Sequence, residues 1–183
     1  MSTTAFERLR HAIGVQVARW HFKQLHDEVV SFSSAISSAE HVLLIMPLTT
    51  EDLLPTLQVL EMVKSRFKGE NITVVTGERG VEAIRLLPRS KILHLLKPQV
   101  SPFFLPRADF INSLPRKRYD LAIDLNLDFV LPSGYICKAS GARVRVGFSR
   151  GDADVFYNFQ VKPDSTLGRK LIYNRFVYCL LKF

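Results

Sequence analysis

His41-Val-Leu-Leu-Ile-Met-Pro-Leu-Thr-Thr-Glu-Asp-Leu-Leu-Pro-Thr56 decides the fold. Val42 to Met46 is an unbroken apolar run, which predicts a strand buried on both faces. A short polar turn follows, and Glu51 and Asp52 open an amphipathic helix expected to reach about Lys68. Buried strand, tight turn and helix, in that order, form the first unit of a parallel α/β sheet. Ligands of such sheets gather at the carboxyl ends of the strands, so Thr49, Thr50, Glu51 and Asp52 are candidate site residues.

The same alternation continues outward. Asn71–Thr76 predicts a second strand, Gly77 to Gly80 a turn into a short helix at Val81–Leu87, and Lys91–Leu96 a third strand. Tyr119–Asp124, Ala142–Phe148 and Val155–Val161 read as strands four to six, with a helix at Phe129–Ala139 delayed or interrupted by Pro132. The expected architecture is a single Rossmann-like α/β domain. Its sheet is doubly wound and mainly parallel, in the order 3-2-1-4-5 with a sixth strand added. The chain divides into a basic helical arm (1–40), this core (41–162) and a C-terminal amphipathic helix (163–183).

The arm, from about Thr4 to Ser38, reads as one long helix or two in succession. Phe6, Leu9, Ile13, Val17 and Trp20 recur at helical spacing and form an apolar stripe. Arg8, Arg10, Arg19 and Lys23, with His11, His21 and His26, supply polar surface. Such a helix either packs on the core with a solvated basic face or serves as an arm for a membrane surface or nucleic acid. In the C-terminal helix, Leu171, Ile172, Phe176, Cys179, Leu180 and Phe183 line one side.

With 47% hydrophobic and 23% charged residues, the 183-residue chain can build a real core. Its net charge of +8 asks for an anionic neighbour: nucleic acid, an anionic membrane face, a phosphorylated ligand or an acidic protein. The proline-rich stretch from Lys97 to Arg118 concentrates that charge, and Arg107, Arg116, Lys117 and Arg118 are candidate partner or anion contacts. Phe103, Phe104 and Phe110 lie among them, with a short helix expected near Ala108–Ser113. No RNA- or DNA-binding motif accompanies this charge, which leaves nucleic acid a minor alternative. No secretory segment or spanning apolar run is present, and the expected location is the cytoplasm. Cys137 and Cys179 are expected as free buried thiols, and no Cys/His cluster has metal-ligand spacing.

The turn Pro47–Asp52 contains no glycine, so it lacks a dinucleotide fingerprint, and no P-loop occurs. NAD, FAD and nucleoside triphosphates are disfavoured, and no cofactor or metal is expected. Gly77 remains a weaker phosphate-contact candidate. Asp52 has two readings. As a general base it would take a proton from a substrate hydroxyl. As a helix N-cap it would satisfy backbone donors, with Pro55 at a position that needs none. Asp124 either contacts ligand or holds the turn after strand four, and His94 is expected to be packed inside strand three.

Four motifs, in order, resemble the lipopolysaccharide heptosyltransferases of glycosyltransferase family 9. They are Val42-Leu-Leu-Ile with Glu51-Asp52-Leu-Leu, Asn71-Ile-Thr-Val-Val-Thr-Gly77, Arg118-Tyr-Asp-Leu-Ala-Ile-Asp-Leu-Asn126 and Ser140-Gly-Ala-Arg-Val-Arg-Val-Gly-Phe148. The resemblance implies the N-terminal, acceptor-binding half of a GT-B enzyme. By position it makes Asp52 the base for the acceptor hydroxyl and Asp124 and Asn126 neighbours of the ligand. Two family glycines are replaced here, by Glu51 and Leu127, and the nucleotide-sugar-binding half has no counterpart in this sequence. The resulting expectation is a non-catalytic binding or scaffold subunit with a protein partner. The alternative is an acceptor half that works with a separate donor-binding chain.

Overall fold

A computed structural model of the chain describes residues 4–25, 27–78, 85–115 and 119–182. Six strands form one sheet: β1 Val42–Ile45, β2 Ile72–Thr76, β3 Lys91–His94, β4 Leu121–Asp124, β5 Val144–Phe148 and β6 Phe159–Val161. Their order is β3-β2-β1-β4-β5-β6 and every pairing is parallel, as the alternating sequence pattern requires. The helices are α1 Ala5–Phe22, α2 Phe32–Ser37, α3 Thr50–Leu53, α4 Leu57–Arg66, α5 Ala108–Ser113, α6 Leu131–Ala139 and α7 Arg169–Leu181.

The apolar run of β1 feeds two cores because successive side chains point to opposite faces. Val42, Leu44 and Met46 join a core covered by α2, α4 and α7. Leu43 and Ile45 join a second core covered by α1, α5 and α6. The expected strand order is therefore present, inside a three-layer sandwich.

Local chemistry shifts several expected boundaries. The helix read from Glu51 to Lys68 is divided into α3 and α4, with Pro55 between them. Proline has no N–H to donate and its ring collides with the carbonyl four residues back. Pro132 occupies the first turn of α6, where a missing N–H does no harm, so that helix starts at Leu131 rather than Phe129. β6 is shorter than its apolar run because Ala153–Val155 forms a 3-10 turn. β3 is an exposed edge, and His94, expected to be packed, faces solvent. Most of the short helix expected at Val81–Leu87 lies outside the described residues; Leu86 and Leu87 lie in a turn.

The N-terminal region is two helices rather than one. Thr4 and Glu7 form a reciprocal capping box that starts α1. The face of α1 that packs is not the large apolar stripe. Gly14, Val15, Ala18 and Phe22 are buried, whereas Phe6, Leu9, Ile13, Val17 and Trp20 point outward. Between α1 and α2, Asp27 bridges two buried cations, Lys138 at 2.8 Å and Arg145 at 2.6 Å. Burial opposes ionisation of Asp27, but these two cations outweigh it and lower its pKa. Cys137 is buried and Cys179 partly so, and both are free thiols. Among the described residues, no helix is long and apolar enough to cross a membrane.

Candidate functional site

The carboxyl ends of β1, β2 and β3 open onto a cavity of about 600 Å³. Leu48, Gly77, Leu96 and Phe104 line it, together with the cations Arg10 and Lys97 and the carboxylate Glu78. Phe104 is held in the left-handed region at φ 61°, unusual for a bulky residue, and the Arg10 guanidinium lies 5.4 Å from its ring centre. The Ser101 hydroxyl accepts hydrogen bonds from the N–H groups of Phe103 and Leu105 and so fixes this wall. Gly77 is one of the walls. A Cβ there would approach nothing closer than 3.4 Å, so glycine is not demanded by local packing.

Asp52 stands apart from this cavity. It is not the N-cap of α3; that position is Thr49, and Asp52 lies within the helix. Its side chain is buried and both of its oxygens are occupied. Oδ2 accepts from the Thr49 hydroxyl at 2.6 Å, and Oδ1 accepts from the Arg169 guanidinium at 2.6 Å. Arg169, the first residue of α7, also reaches Glu51 at 3.1 Å. The hydrogen bond that Arg169 donates to Asp52 raises the already high pKa of Arg169. Thr49 at the N-cap and Thr50 and Glu51 in the first turn of α3 are exposed beside this ion pair.

Asp124 and Asn126 form a second, internal cluster behind the loop that follows β1. Asp124 ends β4, level with Ile45 of β1. The Tyr157 hydroxyl donates to its Oδ2 at 2.6 Å, and the backbone N–H and side-chain amide of Asn126 donate to its Oδ1 at 2.9 and 2.7 Å. That amide also donates to Ser133, while its oxygen accepts from the Leu48 N–H at 2.9 Å. Both side chains are thus buried and aimed at protein groups, and they hold the β1 loop rather than project into the cavity. Burial pushes the Asp124 pKa up to about 6, against hydrogen bonds from Tyr157 and Asn126 that lower it. The same burial, with the neighbouring Asp124 charge, pushes the Tyr157 hydroxyl and the Cys137 thiol well up.

Gly147 explains how Tyr157 reaches its partner. A Cβ at that position would lie 2.7 Å from the tyrosine ring. Tyr157, Ser133 and Arg169 had no signal in the sequence, because each acts on a residue remote along the chain or around an irregular turn. Of the expected anion contacts, Arg107 is exposed just before α5, whereas Arg116, Lys117 and Arg118 lie outside the described residues. Among the described residues, no group of three or more His, Cys, Asp or Glu could hold a metal.

An open parallel sheet with flanking helices and a hollow at its carboxyl edge defines an α/β fold of the Rossmann-like class. Within that class, the chain resembles the crystal structure of the glycosyl transferase family 9 from Veillonella parvula DSM 2008, with a TM-score of 0.55 and 14% identity. The likeness covers 85% of this chain and 43% of that one, so the chain spans less than half the length of that structure. It shows a family-9-like glycosyltransferase fold. No protein-family model matches the chain, and no curated protein matches it in sequence.

Proposed function

We propose that this chain is a binding module built on the acceptor-side half of a family-9-like glycosyltransferase fold, and that it does not transfer sugar by itself. The observation that carries this reading is the state of Asp52, whose two oxygens are held by Thr49 and Arg169. A general base must come within hydrogen-bond reach of the hydroxyl it deprotonates. Asp52 is buried, already engaged by Thr49 and Arg169, and does not line the cavity. The cavity itself suits a saccharide carrying an anionic group. Arg10 and Lys97 would meet phosphate or carboxylate, the Glu78 carboxylate in the same lining would accept from sugar hydroxyls, and Leu48, Leu96 and Phe104 would meet the apolar face of a sugar ring.

The second reading, an acceptor half served by a separate donor-binding chain, draws on the partial coverage of the family 9 structure. Calorimetry with phosphorylated monosaccharides, followed by transfer assays with nucleotide-sugar donors, separates the two. Binding without transfer, unchanged in Asp52→Asn and weakened in Lys97→Ala, is the expected result. Transfer that Asp52→Asn abolishes, with or without an added donor-binding chain, would overturn it.

A further inference from the structure

One loop both lines the cavity and seats α1. It runs from Val100 to Pro106, which form an antiparallel bridge, and it is braced inside by the Ser101 hydroxyl. Val100, Ser101 and Phe104 face the cavity. Gly14 of α1 rests on the same loop, so close that a Cβ would lie 2.0 Å from the Phe103 carbonyl oxygen. One turn earlier in α1, Arg10 reaches the cavity itself. Its Nε donates to the Pro102 carbonyl, and its guanidinium lies 5.6 Å from the Phe6 ring centre and 5.4 Å from that of Phe104. The terminal nitrogens make no hydrogen bond or ion pair among the described residues. Arg10 is an oriented, half-buried cation without a counterion.

α1 is unevenly held. Its buried residues, Gly14, Val15, Ala18 and Phe22, all belong to the carboxyl-terminal half. From Ala5 to Ile13 nothing is buried, and only Arg10 and His11 are partly covered. His11 lies against the rings of Phe104 and Phe129, at 6.0 and 6.2 Å between centres. A segment with so few buried contacts belongs to the low-stability end of a fold, where local opening costs little.

We propose that Arg10 is the anion-selecting residue of the cavity and that it works as a clasp: the phosphate or carboxylate it binds fastens the amino-terminal half of α1 onto the Val100–Pro106 loop. This inference rests on the ligand class proposed for the cavity and adds how that site is regulated. The guanidinium fork offers parallel N–H donors to one oxyanion, which the point charge of Lys97 does not. The bound anion neutralises a cation flanked by aromatic rings and fixes it between ligand, Pro102 and Phe104. Ligand binding and ordering of the half-helix then form one linked equilibrium. Whatever loosens the half-helix weakens binding by the factor through which the ligand tightens it. A neutral sugar, which meets only Glu78 and the apolar walls, leaves α1 as it was.

The test uses glucose 6-phosphate and glucose as probes, with calorimetry for affinity and hydrogen–deuterium exchange for the amides of residues 8–13. Glucose 6-phosphate is expected to slow exchange there, and glucose at equal occupancy to leave it unchanged. Arg10→Lys keeps the charge but loses the fork. It should cost roughly tenfold in affinity for the phosphorylated sugar and remove the protection of 8–13. Lys97→Ala should weaken binding yet leave the protection intact once the site is saturated. Thr4→Ala breaks the capping box at an exposed position outside the cavity lining, and should weaken binding about two- to fivefold. Unchanged exchange at saturating glucose 6-phosphate, or wild-type affinity in Thr4→Ala, would overturn the clasp while the ligand class of the cavity stands. Failure of every phosphorylated monosaccharide to bind would overturn that reading first, and this inference with it.

Discussion

Arg169 joins Asp52 across 117 positions of sequence, closing the loop after β1 with the start of the last helix. The Asp52 side chain is 3% exposed and that of Arg169 is 37% exposed, so one charge depends on its partner far more than the other. Arg169→Gln should therefore destabilise the fold by about 1–2 kcal/mol, below the penalty for breaking a fully buried pair because solvent screens the guanidinium. Asp52→Asn placed on top of it should restore part of that loss, since the stranded charge is gone. Urea denaturation of the double-mutant cycle measures the coupling, and additive effects would show that the pair contributes nothing to stability. Asp124 gives the opposite pH signature from a salt-bridged carboxylate. Its folded pKa is about 6 against 3.8 for an unperturbed aspartate, so between those values the unfolded chain loses its proton first. Stability contributed below pH 4 is lost as pH rises through 6, by an amount on the order of 3 kcal/mol. Asp124→Asn cannot titrate, and its stability relative to wild type should rise across that window. A constant difference from pH 4 to pH 7 would mean that Asp124 is not the group responsible.

At the scale of the element, α1 shows where sequence reasoning reaches its limit. Gly14 is the poorest helix former in its helix interior, and alanine there would ordinarily stabilise by up to about 1 kcal/mol. Here the added methyl would meet the Phe103 carbonyl at 2.0 Å and Leu131 at 2.9 Å, and the first of these is backbone that cannot rotate away. Gly14→Ala should lower the melting temperature, with a net loss of about 1–3 kcal/mol typical of overpacking. An unchanged or higher melting temperature would mean that α1 is not seated on the Phe103 loop. The sequence disclosed α1 itself and the apolar row on it. Helical spacing shows that apolar residues share a side, but it does not show that the side is covered. The covered side is mostly small, Gly14, Val15 and Ala18 with Phe22, and makes a weaker pattern than Phe6 and Trp20. The strands were legible for the converse reason, because runs such as Val42–Met46 have no exposed face to confuse. Asp52, Gly77 and Asp124 were legible as residues at the carboxyl edge, yet their partners Arg169 and Tyr157 were not, since pairing over such separations leaves no local spacing to read.

The whole molecule is a sheet closed from both ends of the chain, and the two closures differ in strength. α1 contributes Val15, Ala18 and Phe22 to one core. α7 contributes Ile172, Tyr173, Phe176 and Leu180 to the other, and the Tyr173 hydroxyl donates to the Leu125 carbonyl at 2.6 Å beside the candidate site. At about 1.5–3 kcal/mol for each large apolar side chain buried, the four residues of α7 supply roughly 6–12 kcal/mol. A domain of this kind has a net stability of only about 5–15 kcal/mol. Removing α7 by truncation after Leu167 should therefore abolish the cooperative thermal transition and expose Phe148, Val144 and Val146 to a hydrophobic dye, rather than merely lower the midpoint. The single substitution Phe22→Ala in α1 removes less and should leave a cooperative transition at a reduced temperature, with a loss of about 3–5 kcal/mol. If the truncated chain still melted cooperatively, β1, β4 and β5 would hold their α4 face without α7. Arg169 would then be an accessory to the Asp52 loop rather than part of the frame that fixes it.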